Sequence, residues 1–269
     1  MKICKLVDEF EADRPEVGYL FYDEPSRDFF IELSENKRAG DASLLFQLFI
    51  EKGEYAIGRE WSARWVRQRI VPTDRQNLGA ILRENHLTEY NEYKLLMISG
   101  GRCAQDDCAV LPAVEQNLPE WLRQRLRGKT AWAAALDGFV LLTCFRDDTI
   151  RRIDLEPFLQ TEKNFQILLT RPGQFPSLRV LPGGNGITWG EGMDIPAEQL
   201  HKMGTQIPLT GSEWKSNVRQ QVIDTGEACS ILACSRQYVD QLVRKGILVP
   251  IKSGAHSRLF IRSEVETLS

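Results

Sequence analysis

Asp224, Ser235 and Gly246 constrain this chain more tightly than any other feature, because they punctuate one short stretch into two helices with little room to differ. Asp224 or Thr225 is placed to cap a first helix through Ile231 and Leu232, with Glu227 in its first turn and Ala228, Ile231 and Leu232 on one apolar face. Ala233-Cys234-Ser235 then turns the chain. Ser235 caps a second helix, Arg236 to Lys245, and Gly246 ends it. Two short helices joined by a three- or four-residue turn are the geometry of a helix-turn-helix. In the second helix Val239, Leu242 and Val243 share a face, whereas Arg236, Gln237, Gln241 and Arg244 fall largely on others. One face is expected to pack and the other to remain free.

Beyond Gly246, Ile247 to Ile251 and Arg258 to Arg262 read as a β-hairpin around the polar loop Lys252 to Ser257, and Ser263 to Glu266 as a last helical turn. Helix, turn, helix and basic hairpin occur here in the order of a winged helix-turn-helix. On the pair Glu227-Ala228, the turn Ala233-Cys234-Ser235, the helix start Arg236-Gln237-Tyr238-Val239, Arg244-Lys245-Gly246-Ile247-Leu248 and the basic loop, the segment resembles the excisionase and MerR-like families. The resemblance implies binding to double-stranded DNA. Unlike true MerR regulators, the sequence carries no long dimerisation helix after the wing and stops at Ser269, so a homodimer is expected to form through other parts of the chain.

Charge supports the same reading. The whole chain has 34 Lys+Arg against 37 Asp+Glu, a formal −3, which excludes a protein that coats nucleic acid by bulk charge. Between Lys215 and Arg262, however, eight basic residues face three acidic ones, Asp224, Glu227 and Asp240. Lys245, Lys252 and Arg258 are expected on phosphates; Arg236 and Gln237, at the start of the second helix, suit base edges, since Arg pairs with guanine and Gln with adenine. Tyr238 suits a phosphate or a thymine methyl, and His256 at the wing tip suits the minor groove. Ser235, Gln241 and Arg244 complete the expected DNA-binding set.

The rest of the chain reads as two further domains, giving a multidomain α+β protein: an α+β domain over 1–126, a small β-rich α+β domain over 129–206, and the winged helix-turn-helix over 213–269. The first opens on a hairpin, Gly18 to Tyr22 and Asp28 to Leu33 around Asp23-Glu24-Pro25-Ser26. Helices follow: one capped by Asp41 with Leu44, Leu45, Leu48 and Phe49, one carrying Trp61, Arg64, Trp65 and Arg67, one from Asp74 to Glu84, and one capped by Thr88 that ends at Gly100-Gly101. Glu89 and Glu92 near the start of the last would repel phosphates, so this pair is expected to pack or bind a partner. Arg64, Arg67, Arg69 and Arg75 form a basic cluster that either assists nucleic acid or is merely solvated.

In the second domain the period shortens to that of strands, with runs at Ala131 to Leu136, Phe139 to Phe145 and Thr149 to Leu155, and a hairpin signal at Asp137-Gly138. A further hairpin spans Ser177 to Leu181 and Gly186 to Trp189, a short helix Pro196 to Met203, and a polar linker Gly204 to Ser212. On Phe145-x-Asp147-Asp148-Thr149, Ile153-Asp154-Leu155, Phe165, Phe175, Val180, Gly186-Ile187-Thr188-Trp189 and Asp194-Ile195 this part resembles a small bacterial domain family of unknown function. That resemblance implies a compact fold and no chemistry. Pro182 to Gly186 is not a phosphate loop, because it leads into a strand and lacks the Lys-Ser/Thr that would follow.

No catalytic set is legible. The spacing Cys103-x4-Cys108 fits neither a redox pair nor the common zinc sets, Cys229 and Cys234 suit small core positions, and no nucleophile, base and orienting acid stand together. We therefore expect a non-enzyme without metal or cofactor. Acid at Asp8 and Glu9 interrupts any leader-like run, and the longest apolar run is strand-sized, so the expectation is a cytoplasmic protein with thiols reduced and no membrane contact. The expected role is a sequence-specific transcriptional regulator, a repressor of bacterial or phage type. An antitoxin-like or phage-type adaptor that holds a protein partner through residues 1–206 is the alternative.

Overall fold

The computed structural model describes residues 1–10, 13, 15–35, 43–254 and 258–268. Mixed α and β elements with several sheets gather into two compact units: residues 1–147 with 151–205, and residues 148–150 with 206–269.

The first unit opens with β1 (Lys2–Asp8), β2 (Glu16–Tyr22) and β3 (Phe29–Leu33), followed by α1 (Leu44–Ile50), β4 (Ala56–Ile57), α2 (Arg59–Arg67), α3 (Leu78–Glu84), α4 (Glu92–Ser99) and β5 (Cys108–Ala113). Its sheet has the order β4-β3-β2-β1-β5. The β2–β3 hairpin pairs Tyr22 with Phe29, and Asp23 closes its turn by accepting from the amide and hydroxyl of Ser26. Neither β1 nor β5 is expected from the sequence, where Lys and Pro interrupt the apolar pattern.

Nearly every residue of β2 and β3 is buried, which requires cover on both faces of the sheet. On one face Leu20, Phe29 and Ile31 pack with Phe46, Trp65 and Leu96 of the helices. On the other, Tyr19, Phe21 and Phe30 pack with Leu118, Leu122 and Leu181. Strand alternation puts Glu32 on this second face, where it is fully buried and held by Lys129 and Arg125. Leu122 and Arg125 belong to α5 (Glu120–Arg127).

Two helix starts differ from expectation. Asp74 and Thr73 precede α3, which begins at Leu78, because the Arg75 side chain donates to Asn77 and the intervening residues form turns. Asn91, not Thr88, caps α4: its side-chain oxygen accepts from the amide of Lys94. The helix ends as expected at Gly100, which adopts the left-handed conformation. The cap expected at Asp41 lies outside the described residues.

Next along the chain, β6 (Thr130–Leu136), β7 (Val140–Phe145) and β8 (Thr149–Asp154) are neighbours in the order β8-β7-β6. Helices α6 (Glu156–Thr161) and α7 (Gln166–Thr170) follow. A small sheet, β11-β10-β9, is built from β9 (Arg179–Val180), β10 (Gly186–Thr188) and β11 (Asp194–Pro196), and α8 (Ala197–Met203) closes this part. Phe165, Phe175, Ile187, Ile195 and Leu200 form its core with Phe145 and Leu159. Residues 1–126 and 129–205 thus each have a core of their own and share a third cluster, in which Leu181 packs with Tyr19, Phe30 and Leu122. Arg59 ties them together by a two-pronged bond to Asp194, at 2.7 and 2.8 Å, and a third bond to the carbonyl of Gly190 at 3.1 Å.

The expected linker is instead regular structure. Residues Thr205–Thr210 form β12 and Gly211–Gln221 form α9, whose start is fixed by a capping box between Thr210 and Glu213. The second unit continues with β13 (Val222–Asp224), α10 (Thr225–Ile231), α11 (Arg236–Arg244), β14 (Lys252–Ser253), β15 (Arg258–Ile261) and α12 (Arg262–Glu266). Its sheet has the order β13-β15-β14, with Ile223 opposite Phe260 and Lys252 opposite Leu259. Ile247 to Ile251 is irregular, so the first hairpin strand is shorter and later than expected. Leu248 is buried there because the chain must close the helical pair. Among the described residues no helix is long and apolar enough to cross a membrane.

Candidate nucleic-acid interface

The C-terminal helices are held at both ends by their own sequence. Asp224 accepts from the amide of Glu227 at 2.9 Å, and Glu227 accepts in return from the amide of Asp224 at 3.1 Å. After α10, Ala233 takes a left-handed conformation with φ 48° and the amide of Cys234 donates to the carbonyl of Cys229. Ser235 then caps α11 by accepting from the amide of Tyr238. At the far end, Gly246 with φ 70° lets its amide reach the carbonyl of Val243 and lets Ile247 reach that of Leu242, a Schellman closure.

Packing fixes which side of α11 is free. Val239 and Leu242 are buried with Ile223, Ala228, Leu248 and Phe260. Opposite them, Arg236, Gln237, Tyr238, Gln241, Arg244 and Lys245 are all exposed. Gln237, Gln241 and Arg244 form one stripe at i, i+4 and i+7, and Tyr238, Gln241 and Lys245 form a second beside it. No acid occupies the first turn of α11, so the partial positive charge of the helix start is unopposed. Arg236, Arg244, Lys245 and Lys252 have no ion-pair partner among the described residues.

Two other cations are occupied. Arg258 pairs with Asp240 of α11, and Arg262 donates to the carbonyl of Gln220 at 2.8 Å and approaches Glu227 at 3.6 Å. Arg258, expected on a phosphate, is therefore engaged within the unit and fastens the hairpin to the helix. His256 lies outside the described residues. The structure brings Ser235, Arg236, Gln237, Tyr238, Gln241, Arg244 and Lys245 together on α11, with the Ser235 hydroxyl used as its cap, and puts Lys252 at the exposed start of β14. Over residues 206–269 as a whole, eight basic residues stand against six acidic ones, so the basic character lies in placement more than in net charge.

The other sequence candidates are accounted for locally. Arg64 pairs with Glu60 and lies over Trp61, Arg67 pairs with Glu92, and Arg69 is buried against Trp65 and Asp106. These arginines are structural partners and not a free basic patch. Cys103 is half-buried with its thiol directed at Asp106; Cys108 is buried, and burial pushes its thiol up to about 12 against the opposing pull of Arg69. Among the described residues no group of three or more His, Cys, Asp or Glu is placed to hold a metal ion.

The chain matches no known protein family, no curated protein and no solved structure. Functional reading therefore rests on the geometry above.

Proposed function

We propose that residues 206–269 form a winged helix-turn-helix that binds duplex DNA sequence-specifically, and that the protein is a transcriptional regulator, a repressor of bacterial or phage type. The observation that carries this reading is the exposed face of α11. Six polar side chains, three of them cationic, project from one helix whose opposite side is buried and whose start lacks acid. Such a helix enters a major groove with its N-terminal residues on the bases. Arg236 and Gln237 take that role, Arg244 and Lys245 lie along the phosphates, and Lys252 contacts the backbone from the hairpin. The protein acts as a homodimer, because helix-turn-helix readers span half-sites about 34 Å apart.

A gel-shift competition among genomic fragments tests the reading. Wild type is expected to retain a subset of fragments against excess competitor, and the double variant Arg236→Ala, Arg244→Ala to lose that preference. If both proteins bind every fragment equally weakly, sequence-specific recognition is wrong. Sedimentation of wild type with a selected fragment checks the dimer: two chains per site are expected, and one chain per site removes that part. A protein recovered stoichiometrically on residues 1–206, with no retained fragment, would instead favour the adaptor reading.

A further inference from the structure

The first unit holds a half-open cavity of about 430 Å³. One wall comes from β3 and α5 with Phe30, Trp121 and Arg125; another comes from β11 and α8 with Asp194, Ala197 and His201. Tyr55 and Gly58 stand on either side of β4, and Leu181 and Asn185 line it as well. Aromatic and aliphatic surface alternates in the lining with charged and polar side chains, and a volume of this size suits a small-molecule site.

Its charges are already matched. Arg59 is held two-pronged by Asp194, Lys129 and Arg125 share the buried Glu32, Arg125 also reaches Glu35 at 2.7 Å, and Lys202 pairs with Glu198 at 2.6 Å. Each charged side chain lining the cavity thus has a counter-charge in the wall or, for Lys129, buried behind it as Glu32; the Lys202 and Glu198 pair lies at the exposed rim. At the less exposed pairs, Arg59 with Asp194 and Glu32 with Lys129 and Arg125, an anionic or cationic ligand would have to take a partner and leave the other member uncompensated. An uncharged ligand avoids that cost.

Ring surface is the second constraint. The guanidinium of Arg125 lies 4.9 Å from the ring of Trp121 and 5.7 Å from that of Tyr55, which fixes the aromatic side of the cavity. The same lining carries neutral polar groups that have no hydrogen-bond partner among the described residues: the imidazole of His201 and the side-chain oxygen of Asn185, whose amide nitrogen donates to the carbonyl of Pro182. Burial and the nearby Arg151 hold the His201 imidazole below its usual range, so near neutral pH it offers one donor and one acceptor.

We propose that this cavity binds an uncharged planar aromatic or heteroaromatic small molecule, its ring against Trp121 and Tyr55 and its polar edge against His201 and Asn185. The site lies wholly within residues 30–202 and owes nothing to the DNA reading of the second unit.

A matched series on one ring system tests it: indole-3-acetamide, indole-3-acetate and tryptamine, titrated into the full chain and followed by ¹H–¹⁵N spectra and saturation transfer. The neutral amide is expected to bind saturably, with the anion and the cation weaker by roughly tenfold or more because each must break a wall pair. Two variants locate the site. Gly58 is exposed at the mouth of the cavity, has an ordinary φ of −67°, and a Cβ there meets nothing within 4 Å, so Gly58→Phe fits the backbone and crowds the mouth; amide binding is expected to weaken with melting behaviour unchanged. His201→Phe keeps a ring against Phe145, 5.1 Å away between centroids, and removes the polar edge; the amide is expected to weaken while the fold persists. The proposal is overturned if the amide does not saturate, if all three compounds bind alike, or if a folded Gly58→Phe protein binds the amide as wild type does. Should Gly58→Phe fail to fold, unchanged amide binding by His201→Phe overturns the proposed pose.

Discussion

Arg258 of β15 and Asp240 of α11 form an ion pair that fastens the returning strand of the hairpin to the exposed helix. Their side chains are 34% and 43% exposed, so water screens the attraction and its worth in stability is about 0.3–1 kcal/mol. A double-mutant cycle of Arg258→Ala and Asp240→Ala in urea is expected to give a coupling in that range. Asp240 also withholds one cation from any bound polyanion. Asp240→Asn should therefore release Arg258 and steepen the dependence of log K on log salt by about 0.9, one added phosphate contact. A slope identical to wild type would mean that Arg258 never reaches DNA.

Arg236 and Lys252 should fail in different ways. Arg236→Ala is expected to cost about 1–3 kcal/mol at one base position of a selected site and to relax specificity there. Lys252→Ala should weaken every sequence alike and reduce the salt slope by about 1. Binding isotherms on a site and its single-base variants, at three salt concentrations, separate the two; a uniform loss in both variants would deny α11 its reading role.

The cap of α10 is a test confined to the second unit. Asp224→Ala removes the acceptor for the Glu227 amide and is expected to cost about 1 kcal/mol. Amide exchange in α10 and α11 should accelerate while that in β2 and β3 stays as in wild type. Equal acceleration in both places would contradict the division of the chain into two units.

Local punctuation was readable in sequence because each mark is a local physical event. Asp224, Ser235 and Gly246 act within a few residues of themselves, and Asp23-Glu24-Pro25-Ser26 closes a hairpin on its own atoms. What depended on distant partners was not readable. Glu32 sits in the run Phe-Phe-Ile-Glu-Leu, and that lone acid in an apolar strand was the one signal of a buried charge site; nothing in sequence says that Lys129 and Arg125 would meet it. Arg258 looked like a free cation for the same reason, since its carboxylate lies on another element. Polar residues 204–212 looked like a linker because β12 is only partly buried and carries no strong apolar alternation.

Cys108 gives a chemical readout of the buried Arg69 and Asp106 pair beside it. With its thiol pushed up to about 12, it stays protonated and inert to a disulfide reagent at pH 8 in the folded protein, and should react on unfolding. Half-buried Cys103, Cys229 and Cys234 are expected to react before it. Linkage fixes the sign in alkali. The folded state keeps a proton that the unfolded chain releases above about 9, so this group's contribution is intact below 9.0 and declines as pH rises from 9.0 to about 12. The loss is at most roughly 1.4 kcal/mol per pH unit. Urea midpoints of wild type and Cys108→Ala should converge across that range; midpoints that fall in parallel would remove Cys108 as a cause.

His201 makes the opposite prediction in acid. Burial first, then the charge of Arg151, lowers its pKa below 6.5, while Asp147 pulls the other way. The unfolded chain therefore binds a proton that the folded chain refuses. Stability rises with pH wherever the unfolded state holds more protons, so His201's contribution is complete above 6.5 and is lost progressively as pH falls from 6.5 toward the lowered folded value. His201→Phe removes that titration and keeps a ring against Phe145. The urea midpoint of the first unit should accordingly fall less steeply between neutral pH and mild acid in the variant than in wild type. Identical slopes would show that the imidazole protonates without cost in the folded protein, and that the wall of the cavity at α8 is open to water.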